Sequence, residues 1–232
     1  MVEIKGLEKF APRDFPGHIS ATFFVGDCNF RCPYCHNAEL VLRPEALPTF
    51  PMDYVFRFLD SRKGWLEGVC ITGGEPLLHP GLPVFLRQLK QKHLLVKLDT
   101  NGSLPSVLED LIAENLVDVI AMDVKTSLEK YPEATRSAVP AENIQESVDL
   151  IRRAPVDHVF RTTVVPGLVD GEDILKIGRM LEGGRLFLLQ QFAPHNTLDP
   201  ALEKVSAYPL EKIQEFAESV KEFFEEVRVE GL

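Results

Sequence analysis

The stretch HISATFFVGDCNFRCPYCHN, residues 18–37, opens with strand character and closes on cysteines at 28, 32 and 35. Its first part, His18–Val25, is apolar with little alternation, the pattern of a parallel strand covered on both faces. The runs Gly68–Thr72, Leu94–Asp99, Val117–Val124, Asp157–Val165 and Arg185–Phe192 share that character. Helical patterns lie between them. Tyr54, Val55, Phe58 and Leu59 repeat at helical spacing, as do Leu82, Phe85, Leu86 and Leu89. Pro105–Glu114, Ala141–Arg152 and Glu172–Leu181 continue the series, and Glu211 to about Val227 places Ile213, Phe216, Val220, Phe223 and Val227 on one stripe. Six strand–helix units in series predict an α/β fold with a parallel sheet and right-handed crossovers. A curved partial barrel and a flat doubly wound sheet both satisfy the pattern. No glycine-rich fingerprint opens the first helix, which counts against a dinucleotide-binding sheet.

The totals narrow the function classes. A formal charge of −10 over 232 residues excludes a protein that tracks phosphates with a basic stripe, so nucleic acid is not an expected partner. Hydrophobic residues make up 45 % of the chain, enough for a large core. The opening run MVEIKGLEKFAPRDFPGH has no apolar stretch of signal-peptide length, and no later run approaches a membrane span. A cytoplasmic protein with reduced thiols and no membrane partner is the expectation. Leu42–Pro51, with three prolines, reads as a surface loop, and no linker divides the chain, so residues 1–232 are taken as one domain.

Three of the four cysteines fall in the loop 26–38. Such a loop can wrap three thiolates around one small inorganic centre. Zinc would need a fourth ligand; His36 is present, but it directly follows Cys35, and the two side chains diverge more readily than they converge. Cys70, in the second strand between Val69 and Ile71, reads as a small buried hydrophobe. Three cysteines on a four-iron cluster leave one iron open to a substrate or cofactor, which suits the spacing better.

At this point the sequence resembles a known family. CNFRCPYCHN is similar to the C-x3-C-x-aromatic-C signature of radical S-adenosylmethionine (SAM) enzymes, with Tyr34 as the aromatic. GGEP at Gly73–Pro76, with Glu75, follows the second strand, and Asp99-Thr100-Asn101-Gly102 ends the third. Asp123 and Lys125, one residue apart, share a face at the end of the fourth strand. FRTTVVPG, carrying Arg161, and LLQQFAPH, carrying Gln191 and His195, end the fifth and sixth. All lie at the C-terminal edge of the expected sheet, where parallel α/β folds place their sites.

The resemblance implies a partial (β/α)6 TIM-like barrel with a curved sheet. It implies one [4Fe-4S] cluster on Cys28, Cys32 and Cys35, and SAM held by Tyr34, Gly73, Gly74, Glu75, Thr100, Asn101, Asp123, Lys125, Arg161, Gln191 and His195. The catalytic groups would be the cluster and SAM themselves. The residues around the cysteines are most similar to the activating proteins of anaerobic ribonucleoside-triphosphate reductase. A glycyl-radical enzyme is the partner so implied, with a flavodoxin- or ferredoxin-type electron donor. A radical SAM enzyme acting on a small molecule or another peptide is the alternative. A non-enzymatic iron–sulfur or zinc module follows, and it has no use for GGEP, D-x-K or R-x-x-V-V-P-G.

Overall fold

A computed structural model describes residues 2–231. Eight strands form one sheet in the order of the chain: β1 (Ile4–Glu8), β2 (Ser20–Val25), β3 (Gly68–Gly73), β4 (Leu95–Thr100), β5 (Val119–Asp123), β6 (Asp157–Val164), β7 (Gly184–Gln191) and β8 (Phe224–Glu230). β1 runs antiparallel to β2, and every later pair is parallel. Helices α1 (Ala38–Leu42), α2 (Met52–Ser61), α3 (Leu82–Gln91), α4 (Pro105–Ala113), α5 (Tyr131–Thr135), α6 (Ala141–Arg153), α7 (Gly171–Met180) and α8 (Leu210–Val220) fill the connections.

Strand order decides between the two arrangements left open above. A doubly wound sheet reverses its order at a switch point, whereas here each strand follows its predecessor. Right-handed crossovers all of one sense put the helices on one face, and the sheet curls its other face into a lumen. β1 and β8 end the sheet, so the barrel is partial.

The helical layer is held by apolar stripes of the expected spacing. Leu82, Phe85, Leu86 and Leu89 of α3 are all buried, and Phe85 meets Phe23 of β2 edge-on at 5.9 Å and Phe56 of α2 at 6.1 Å. Each such side chain contributes roughly 1.5–3 kcal/mol on burial. An Asp170–Asp173 capping box starts α7. No helix among the described residues is long and apolar enough to cross a membrane.

The C-terminal segment and β1 differ from the expectation, and the short helices α1 and α5 are additional to it. The C-terminal helix ends at Val220 instead of near Val227, and after a short 3-10 turn the chain becomes β8. Ile213, Phe216 and Val220 keep the helical stripe, but beyond them Val227, Arg228, Val229 and Glu230 alternate apolar and charged, the period of a strand. Pairing with β7 lets Phe224 stack on Phe187 at 5.0 Å, which a continued helix would forgo. β1, absent from the expected strands, fully buries Ile4. Its one strong apolar signal is too short to stand out beside Lys5, Gly6 and Glu8. The run Leu42–Pro51 is a loop that contains a 3-10 turn at Pro44–Ala46, and Phe50 bridges to Ile4.

Candidate active site

The loop after β2 carries Cys28, Cys32 and Cys35, all with free thiols. It is braced from several directions. The Arg31 guanidinium donates to the carbonyls of Cys28 and Phe30, and the Arg31 N–H donates to Thr135 O at 2.7 Å. From the segment after β7, Leu198 N–H donates to Cys35 O at 2.9 Å and Asp199 N–H to Pro33 O at 2.8 Å. Phe30 packs edge-on against Tyr131 at 6.3 Å. Burial pushes the Cys28 thiol up to about 11 and the Cys32 thiol up to about 12.

GGEP ties the end of β3 to this loop. Gly74 N–H donates to Val25 O at 2.9 Å, and Glu75 N–H to Asp27 O at 2.7 Å. Only glycine permits the approach: Gly73 has φ +116°, and a Cβ on Gly74 would lie 1.8 Å from Asp27 O. The Glu75 carboxylate is fully buried and serves as a brace. Its Oε1 accepts from Leu77 N at 3.0 Å and Thr100 Oγ1 at 2.8 Å, and its Oε2 accepts from Asn101 N at 2.6 Å. The turn it fixes places Asn101 Nδ2 3.0 Å from Asn29 Oδ1 and 3.8 Å from Cys28 Sγ.

Burial pushes the Glu75 carboxyl up to about 7, against the pull of its three donors. A carboxyl raised in the folded state gives stability that is present below about pH 4.3 and lost as pH rises through its folded value. Glu75→Gln removes this titration and leaves one backbone N–H facing an amide N–H, a cost of roughly 1–3 kcal/mol. Urea unfolding should therefore show the variant's deficit shrinking from pH 5 to pH 8, by about 3 kcal/mol at most. A deficit unchanged with pH would show that Glu75 does not titrate in this window.

Across the lumen runs a ladder of alternating charge. Lys97 pairs with Asp99, Arg161 Nη1 donates to Asp99 Oδ2 at 3.0 Å, and Arg161 Nε donates to Asp123 Oδ1 at 2.7 Å. Lys125 Nζ completes it on Asp123 Oδ2 at 3.0 Å. Burial is the largest single influence and works to raise both carboxyls, but Arg161 together with Lys97 at Asp99, and together with Lys125 at Asp123, overcomes it and holds them below the usual range. Lys125, though penalised by burial, is lifted well above the ordinary lysine value by Asp123 first. The Tyr34 hydroxyl is buried and has no hydrogen-bond partner among the described residues.

A cavity of about 310 Å³ at the C-terminal edge of the sheet gathers these groups. Every expected site residue lines it except Glu75, Gln191 and His195. Glu75 stands behind the wall as the brace described above. Gln191 lies outside the cavity, with Nε2 donating to Tyr208 O at 2.9 Å, and the exposed His195 stacks on His36 with ring centroids 5.4 Å apart. Asp99, Thr163 and Gln190 line the cavity and were not expected. Strand parity contains the signal for Gln190: Phe187 and Leu189 are buried, so Gln190 takes the opposite face.

The sequence profile of the radical SAM superfamily matches residues 22–181, well over half of the chain. The chain belongs to the radical SAM superfamily. A Methanocaldococcus jannaschii protein provisionally named a glycyl-radical enzyme activating enzyme is 31 % identical over 229 residues, covering 97 % of this chain and 94 % of that one. A GTP 3′,8-cyclase of Helicobacter pylori is 31 % identical over 157 residues, covering 65 % of this chain and 47 % of the cyclase. Among solved structures, Streptococcus suis SuiB bound to S-adenosylmethionine superposes with a TM-score of 0.68 at 16 % identity, covering 88 % of this chain and 48 % of that one, a likeness of fold.

Radical SAM enzymes use a [4Fe-4S] cluster and SAM, and the residues present fit both. Among the described residues no three His, Cys, Asp or Glu side chains close on one metal ion. The three thiols instead rim the cavity, whose volume falls within the range of small-molecule sites. The partnerless Tyr34 hydroxyl and the cationic donors of Lys125 and Arg161 provide polar anchors on its wall.

Proposed function

We propose that this radical SAM enzyme is an activase that takes a hydrogen atom from a glycine Cα of a partner glycyl-radical enzyme. What supports the activase reading is the Methanocaldococcus relative, aligned over nearly the whole of both chains. The partner we propose is an anaerobic ribonucleoside-triphosphate reductase, because the residues around Cys28–Asn37 resemble its activating proteins. A flavodoxin- or ferredoxin-type donor would supply the electron in a reducing cytoplasm.

Cys28, Cys32 and Cys35 would hold the cluster, and SAM would lie among Tyr34, Gly73, Gly74, Thr100, Asn101, Asp123, Lys125 and Arg161. When bound, the two cofactors supply a one-electron cleavage that delivers a 5′-deoxyadenosyl radical. The chain's own residues orient and exclude. Lys125 and Arg161 offer charge-assisted donors to a carboxylate, and Asp123 holds both cations in place. Glu75 and the two glycines fix the turn at Asn101 against the cysteine loop, so the walls of the cavity are set before anything enters.

The test is electron paramagnetic resonance on anaerobically reconstituted, reduced protein, with and without SAM, then with the reductase added. A cubane signal that changes with SAM, accumulation of 5′-deoxyadenosine, and a glycyl-radical doublet on the reductase are expected. A cluster indifferent to SAM would remove the enzyme mechanism. SAM cleavage with no radical on any glycyl-radical enzyme would favour the second reading, an enzyme acting on a small molecule, which the partial match to the GTP cyclase supports.

A further inference from the structure

Lys97 is a buried cation that the proposed mechanism does not use. It lies on β4 with 4 % of its surface exposed, and it does not line the cavity. Among the described residues its ammonium has two hydrogen-bond partners, Asp99 Oδ1 and the Cys70 thiol at 3.7 Å. Cys70 Sγ in turn lies 3.6 Å from the same Oδ1. The other oxygen of Asp99 faces the opposite way in the network, accepting from Thr72 Oγ1 at 3.3 Å and Arg161 Nη1 at 3.0 Å.

The two carboxylate oxygens thus have separate tasks: Oδ1 is anchored from beneath, and Oδ2 is presented to a guanidinium in the cavity wall. Charge counting gives the same division. Asp99, Arg161, Asp123 and Lys125 alone are neutral, two anions against two cations. Lys97 adds a third cation and takes up Oδ1, so that Oδ2 stays directed to Arg161. A desolvated lysine is costly to retain, and a neutral residue of similar size would remove the cost if packing were its only task.

We propose that Lys97 is a positioning residue for SAM: it fixes Asp99 from beneath so that Arg161 is held in the cavity wall with donor capacity to spare for the cofactor. This rests on the placement of SAM beside Arg161 given above. The experiment compares holoenzyme carrying Lys97→Met or Lys97→Arg with the parent, by calorimetric titration of SAM onto the reconstituted protein and by resonance spectra taken before SAM is added. Lys97→Met should weaken SAM binding about tenfold, the scale of one lost hydrogen bond to a charged group, and raise KM for SAM more than it lowers kcat. Its cluster spectrum without SAM should match the parent, and Lys97→Arg should recover most of the affinity.

Parent-like SAM affinity in Lys97→Met, whatever its melting temperature, would overturn the proposal and leave Lys97 a structural ion-pair member. Should Lys97→Met not fold, Lys97→Gln decides the matter: its shorter, uncharged amide replaces a charge-assisted bond to Asp99 Oδ1 by a weaker neutral one, so SAM affinity should still fall, and parent-like affinity there overturns the proposal equally. A parent protein that binds no SAM would instead remove the reading of the site itself.

Discussion

Arg161→Met should lower the thermal midpoint by roughly 10 °C and, at neutral pH, cost about 3 kcal/mol of stability. Arg161 joins two carboxylates from the middle of the ladder, and its side chain is 17 % exposed beside Asp99 at 14 %. Removing it leaves two anions in a site that water reaches poorly. Each keeps one cation, Lys97 for Asp99 and Lys125 for Asp123, which keeps the loss at the lower end for a broken buried pair. The sign of the pH dependence follows from the depressed carboxyls. Stabilisation of a carboxyl held below its ordinary range is complete above about pH 4 and fades as pH falls further. The gap between parent and variant should therefore be widest at pH 7 and narrow near pH 3. Urea unfolding at both values checks this, and a gap that is the same at both would show that Arg161 matters by volume alone.

The ladder also shows what the sequence could and could not reveal. The two-residue period of a strand puts Asp123 and Lys125 on one face, and they do form an ion pair. Lys97 and Asp99 have the same spacing in LVKLDT, with Val96 and Leu98 buried at the alternate positions. A purely apolar expectation for parallel strands hid that alternation. A partial barrel has a lumen as well as a helical face, and its lumen can be polar because the sheet does not close. Residues that meet across it, such as Asp99 and Arg161, are 62 positions apart, and pairing at that range is set by tertiary geometry. The same holds for Glu75, whose buried role depends, beyond the local Leu77 N–H, on donors from Thr100 and Asn101 at the end of β4 that no local pattern connects to it. The strands themselves were legible because buried apolar runs are local. β8 was missed because an amphipathic helix pattern leads into it without a break.

Cysteine substitutions should separate chemistry from packing more sharply than any other change. Cys32→Ala is expected to leave the fold intact, at a cost of about 1 kcal/mol for the small void, yet to abolish iron retention and SAM cleavage. Two remaining thiols cannot hold a cluster that needs three protein ligands and an open iron. Cys70→Ala removes the same atom from an equally buried place and should behave in the opposite way. Its thiol faces Asp99 and Lys97, outside the cavity, so reconstituted protein should keep about four irons per chain and still cleave SAM. Iron and sulfide assays on the two variants after anaerobic reconstitution provide the comparison. Retained iron in Cys32→Ala would displace the cluster from this loop. Lost iron in Cys70→Ala, with the protein still folded, would mean that the lumen network holds the cluster site together and that the cavity cannot be treated apart from the charges beneath it.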